Sequence, residues 1–435
     1  QSGSTLTLGG SGTAVTLACG ATQTGFGRTG TVDWQTSIKT GDFTAVSGEG
    51  YFINTTSGTI TMTLPASPSA GAIVSFSDYA KTFDTNALTV GRNSSNIAGV
   101  ANDSVVQTEG IAATLVYADA TKGWIVTESG LQSEVPGPEF VVATGGTITT
   151  VCTNFKVHTF TGPGTFTVCS AGNAAGSNTV SYMVVAGGGG SGAGYPSSNG
   201  GGGGGAGGFR ESKASSDSYT ASPLNTTSGP FYNLPVSATS FPITVGGGGT
   251  GAGGGGQRAS GTASTFSTIT SAGGGGGGNS GPSQPQVDAL TGGSGGGGAG
   301  GTSSASWGSG AAGNTPPTSP PQGNPGGDNQ KIASGSGTDN SGGAGGGATA
   351  AGGDGGLPLT GGAGGAGATT SITASPTAYA GGGGGGGSPN GAGGTGGGGS
   401  GGSNGSTNTG GGGGGNYGPA GTGGSGIVVI RYKFQ

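Results

Sequence analysis

The chain has 435 residues, 115 of them glycine, with 12 basic and 17 acidic side chains and a formal net charge of -5. So sparse and acidic a charge excludes nucleic-acid binding through a basic patch, and no apolar run reaches the length of about 18 residues that inserts into a bilayer. Three cysteines are too few for a disulfide-stapled fold. The sequence opens at Gln1 without a secretory leader, which leaves open a processed chain or part of a longer product.

Residues 1–132 read as β-structure. Thr59-Ile60-Thr61-Met62-Thr63-Leu64 alternates strictly, which places Ile60, Met62 and Leu64 on one buried face. Short apolar stretches at 51–53, 73–76, 88–90, 114–117 and 124–126 are separated by Gly, Asn, Asp and Pro, as in a sandwich or barrel. Residues 133–139, with two prolines and a glycine, form a stiff linker. Residues 140–186 resume strands as a small β-domain. Cys152 and Cys169 there either pair across a hairpin or remain buried free thiols.

From 187 to 426 glycine runs recur at 187–190, 200–205, 246–249, 273–278, 295–298, 381–387 and 410–415, among others. Ordering a glycine is entropically costly and buries no side chain, so a folded state needs backbone-to-backbone contacts in quantity. Polyproline II helices packed side by side supply them, with glycine wherever one backbone faces another. Glycine does not fall at every third position, which excludes collagen. Apolar strands bracket the region, and Tyr182–Val185 is expected to pair with Ile427–Ile430 in a closing strand over 427–435. The expected fold is therefore an all-β N-terminal half followed by a glycine-rich polyproline II bundle, with almost no α-helix. Within that bundle, replacing Gly384 is expected to be disruptive and replacing Gly405, read as a loop residue, mild.

Met183-Val-Val-Ala-Gly-Gly-Gly-Gly-Ser-Gly192, the Phe266-Ser-Thr-Ile-Thr-Ser-Ala-Gly-Gly-Gly segment and the terminal Ser-Gly-Ile-Val-Val-Ile-Arg-Tyr432 resemble glycine-rich phage tail-fibre proteins over about residues 140–435. The Trp34 to Trp124 region is similar to a β-domain that recurs in phage fibres, many of which trimerise. The distal adhesin of T-even long tail fibres is the nearest architectural parallel. The resemblance implies a non-enzymatic tail-fibre tip in the virion whose loops bind a bacterial surface polysaccharide or outer-membrane protein. It also implies contact with other tail-fibre or tail proteins, and a homotrimer built through the β-half.

On a rigid frame, binding falls to the displayed loops. Candidate tips are Ser191–Asn199 with Tyr195, Thr302–Gly308 with Trp307, Ser371–Ala380 with Tyr379, and Ser403–Thr409 followed by Tyr417. An aromatic ring in a small polar loop offers a rigid contact for a sugar face or a protein surface; the alternative is that each ring covers the edge of the bundle. The Pro316–Lys331 stretch is a receptor loop or disordered. His158, the one histidine, sits in an alternating strand and reads as structural. No Cys/His spacing suggests zinc, no cofactor is implied, and the glycine-based motif matches at Gly292–Gly296 are those expected by chance. A purely structural or ice-contacting fibre and a polysaccharide-cleaving tailspike are the competing readings.

Overall fold

The computed structural model describes residues 32–134, 138–194, 199–252, 258–280, 288–301, 308–329, 340–357 and 359–435, and it is nearly all β. Among these residues the sole helical element is the three-residue 3-10 turn Gln132–Glu134. Cys19 lies outside the described residues. The chain divides into two compact units, Gln1–Pro136 and Gly137–Gln435.

In the first unit successive strands alternate between two sheets. Asp33–Lys39, Glu49–Ile53 and Ile73–Asp78 pair in parallel in one sheet. Phe43–Thr44, Ile60–Thr63 and Leu88–Gly91 pair in parallel in the other. The chain thus coils through three turns before Ser104–Val106, Ile111–Asp119 and Gly123–Leu131 close the sheets with antiparallel pairings. Two facing sheets are what strict alternation predicts; the parallel coil is not, because side-chain period 2 is the same for either strand direction. Parallel registry stacks like on like: Ile60 opposes Leu88 and Met62 opposes Val90. All four are buried in a core that also takes Ile53, Phe76 and Trp124, each such side chain contributing about 1.5–3 kcal/mol.

The second unit is built around its last strand. Ile427–Lys433 lies between Phe155–Phe160 and Thr179–Val185, with Tyr182 opposite Ile430 and Val185 opposite Ile427. Alternation explains why this strand is apolar throughout. Val428, Ile430 and Tyr432 point into a core shared with Phe166, Ile243 and Phe266. Ile427 and Val429 point the other way, toward Met183, Phe209, Ile372 and Tyr379. Residues 140–186 are therefore not a separate domain: their strands flank the C-terminal strand within one compact unit. Cys169 lies on the strand Gly164–Ala171, and Cys152 follows Thr147–Val151 in the other sheet. Both thiols are free and exposed, neither paired nor buried.

The glycine runs hold to one another through their backbones with a period of three. In the run beginning at Gly200, the amides of 200, 203 and 206 donate to the carbonyls of 340, 343 and 346. Those of 201, 204 and 207 donate to 416, 413 and 410, and those of 202, 205 and 208 to 278, 275 and 272. Its carbonyls accept on the same schedule from segments 294–300, 383–386 and 186–192. One run therefore has six neighbours, three reached by its N–H groups and three by its C=O groups. At about 1 kcal/mol net for each bond, the backbone replaces the missing side-chain core.

Glycine is demanded by contact at particular positions. In the run 246–249, a Cβ on Gly246 would meet the Thr262 carbonyl oxygen at 1.9 Å and one on Gly248 that of Gly423 at 1.9 Å. Gly247 between them meets only the Thr262 hydroxyl, at 3.9 Å. Gly384 would strike the Gly391 oxygen at 2.1 Å, as expected of an interior position. Gly405 is not an open loop residue: it is buried, donates to Thr422, and its Cβ would meet the Gly411 oxygen at 2.2 Å. Gly248→Ala should lower the melting temperature by several degrees or make the protein insoluble, whereas Gly247→Ala should leave it within about 0.5 kcal/mol of the parent. Thermal melts of the two variants that coincide would contradict backbone-to-backbone packing.

Candidate functional site

The hydrogen-bond schedule also sorts the turns of the second unit. Stepping along each run from the sheets, the bonds lead from Ala186, Ala272 and Gly410 at one end to Gly192, Gly278 and Asn416 at the other. The first end joins the strands. The second carries turns, and it is here called the loop end.

At the loop end short asparagine amides finish backbone bonding where a run stops. Asn279 Oδ1 accepts the Ala193 amide at 2.7 Å, and Asn390 Oδ1 accepts that of Gly387 at 2.9 Å. Asn416 Oδ1 accepts the Tyr417 amide at 2.8 Å and lies 3.4 Å from Asn390 Nδ2. The Gly356–Thr360 turn joins this set. Gly356 donates to the Thr360 carbonyl at 2.7 Å, Leu359 to that of Gly356 at 3.1 Å, and Ser388 to that of Leu359 at 2.8 Å. The turns at 356–360, 388–390 and 416–419 therefore form one bonded surface. On it Leu357 is 70% exposed, the most exposed large apolar side chain among the described residues.

Of the rings singled out from the sequence, Tyr417 stands on this surface, half-buried. Tyr195 and Trp307 lie outside the described residues; Gly194 and Asn199 flank the first, and Gly301 and Gly308 the second. Tyr379 is placed differently. It ends the strand Thr377–Tyr379 at the sheet end, 6% exposed, packed in the core with Met183 and Phe209. Packing of the two-stranded hairpin against that core, and not exposure at a loop tip, is what the ring serves here. Part of the Pro316–Lys331 stretch is ordered at the sheet end, where Gln322 Nε2 donates to the Pro316 carbonyl at 2.7 Å and Gln322 Oε1 accepts the Ala272 amide at 2.8 Å. Leu357 carries no periodic signal in the sequence; the one clue to it is an apolar pair set between glycines, Gly-Gly-Leu-Pro-Leu-Thr-Gly-Gly.

Two loop-end residues hold polar atoms out of water without a protein partner. Asn199 and Asn329 are 0% and 3% exposed, and neither amide oxygen nor nitrogen of either is hydrogen-bonded. Each such group costs about 1–3 kcal/mol.

Arg431, Asp217, Glu211 and Tyr219 of the second unit are turned inward. Arg431 Nε lies 3.0 Å from Asp217 Oδ2, both side chains at most 2% exposed, and Arg431 Nη1 donates to the Ile372 carbonyl at 3.1 Å. The guanidinium also sits over the Phe155 ring, 4.6 Å from its centroid. Glu211, fully buried, accepts from Thr370 and from the Ser222 amide. Burial, reinforced by the Glu211 carboxylate, holds the Tyr219 phenol far above its ordinary range. These bonds tie the closing strand to the 211–222 segment. Among the described residues no group of three or more His, Cys, Asp or Glu is arranged to hold a metal ion.

His158 is fully buried, with Nδ1 2.7 Å from the Gly145 carbonyl and Nε2 3.1 Å from the Tyr432 hydroxyl. That hydroxyl accepts the Ala143 amide at 3.2 Å, so its own proton points to Nε2 and the imidazole is neutral with its proton on Nδ1. The ring thus fills a satisfied structural place.

A glycine-rich domain family model matches residues 159–433, and the chain belongs to that family. The match takes in the closing strand and the runs together, the same region that packs as one body around Ile427–Lys433. No curated protein matches the chain.

Burial lowers the His158 pKa below its ordinary value of 6.5. The unfolded chain then binds the proton first, so the stabilising contribution is complete above about pH 6.5 and is lost as the pH falls toward the lower folded value. The melting temperature of the wild type should drop between about pH 7 and pH 5.5, before carboxylates titrate, and His158→Gln should flatten that slope. Equal slopes for the two proteins would show that the imidazole is not held neutral.

Proposed function

We propose that the protein is a non-enzymatic adhesin, the receptor-binding tip of a phage tail fibre, in which a glycine-rich scaffold presents the loop end to a host-cell surface. On this reading the runs are polyproline II helices, whose three residues per turn match the period of the backbone bonding. The receptor is a bacterial surface polysaccharide or outer-membrane protein. The β-unit carries the contacts to other fibre proteins and the homotrimer, and the protein resides at the distal part of the virion's fibre.

The observation that carries the proposal is Leu357. A 70% exposed leucine on a turn held by three backbone bonds is a fixed apolar projection, and rigid loops on a rigid frame are where recognition concentrates. Tyr417 stands on the same bonded surface, and tyrosine is among the residue types enriched at binding hot spots.

Purified protein added to susceptible cells ahead of the phage should bind them and block adsorption. Leu357→Asp with Tyr417→Ala should weaken cell binding by at least about tenfold, a loss of about 1.4 kcal/mol or more, with the melting temperature unchanged. A protein that neither binds cells nor competes with phage would remove the receptor-binding reading. Full binding by the double variant would move the contact away from this surface.

A further inference from the structure

The five-stranded sheet of the first unit has an outer face that plays no part in the reading above. One register row crosses all five strands in the order Trp34, Gly50, Ser75, Thr114, Glu128. The row beside it holds Phe52, Ser77, Ala112 and Gly130. Rings thus stand on one flank and a carboxylate on the other, with only small or hydroxyl-bearing residues between them.

The indole is fixed in place by what Gly50 lacks. A Cβ there would come within 2.8 Å of Trp34 Cδ2, so the ring lies against bare backbone while remaining 39% exposed. Phe52 stacks beside it, with centroids 4.9 Å apart and planes 30° from parallel. Ser75 Oγ and Thr114 Oγ1 are bonded at 2.7 Å, which orients the Thr114 hydroxyl on the floor. The result is a groove of about 240 Å³ bounded by Trp34, Thr114, Glu128 and Gly130. Its volume falls below the ~300–1,000 Å³ of sites for drug-sized ligands, which limits the occupant to about one ring.

We infer that this groove binds a neutral pyranose unit of a glycan. The C–H face of the sugar stacks on Trp34, which Phe52 backs from behind, and its hydroxyls donate to Glu128 and exchange bonds with Thr114. The chemistry selects this ligand over others. An ionised carboxylate accepts hydrogen bonds and makes the stronger, charge-assisted kind with hydroxyl donors. A purely apolar partner would leave Glu128 desolvated and unpaired, and a phosphate-bearing ligand would be repelled by it. A sugar joins an apolar face to a rim of hydroxyl donors, matching the indole on one flank and the carboxylate on the other.

The test uses the full chain and saturation-transfer NMR with lactose, cellobiose, maltotriose and chitobiose. At least one should receive saturation at its ring C–H protons from the wild type. Trp34→Ala and Glu128→Gln should each weaken that saccharide at least about tenfold, while Leu357→Asp leaves it unchanged. Both groove substitutions are at exposed positions, and circular dichroism of each variant verifies the fold. Absence of binding by all four saccharides overturns the inference, as does undiminished binding by the two groove variants.

Discussion

Where a side chain would begin, the second unit places a neighbour's peptide oxygen. At position after position in the runs, the point a Cβ would occupy lies about 2 Å from a backbone carbonyl, as at Gly203 with Gly383 and Gly204 with Gly189. Ordinary cores exclude water with side chains and leave the backbone to sheets and helices. Here the two tasks merge: the same peptide groups make the hydrogen bonds and fill the space, with Cα–H···O approaches as a secondary gain. The constraint is severe because any substituent displaces a backbone rather than a side chain. Gly247, a permissive position, is exposed.

Glycine alone does not nucleate such a body, since ordering it costs more entropy than any other residue. The strands supply the anchor. Thr179–Val185 passes directly into the run that begins at Ala186, and the final run passes directly into Ile427–Lys433, which pairs alongside it. Both faces of that central strand are buried, and Arg431 locks it to Asp217 beneath the surface. The remaining runs enter and leave through short hairpins such as Ala368–Thr370 with Thr377–Tyr379. Starts and stops are thereby aligned, which is what gathers the turns into a single loop end.

Much of this was readable from residue order. Alternation in Thr59–Leu64 identified the buried face of the first unit, and the matching apolar ends at Tyr182–Val185 and Ile427–Ile430 identified the pair that closes the second. The repeated runs pointed to backbone packing rather than a tether. What escaped has physical reasons. Strand direction leaves no mark on a period-2 pattern, so the parallel coil of the first unit was invisible. Tyr379 and Gly405 looked like loop residues because Ser, Thr and Asn surround them, yet in a chain whose core is backbone such residues line runs as readily as they form tips. The row from Trp34 to Glu128 joins residues far apart in sequence through five strand pairings, and no local signal announces it.

The two units divide the work by different physics: the first holds its shape with packed side chains, the second with peptide groups. For the second, rigidity is the property on which the proposed presentation of Leu357 and Tyr417 rests. Amide hydrogen exchange across residues 200–208 measures it most directly. Enclosure by six neighbours predicts protection of every amide in that segment, with opening free energies approaching that of global unfolding. Exchange of those amides at random-coil rates would contradict the account, because the run would then be a tether and the loop end would have no fixed shape.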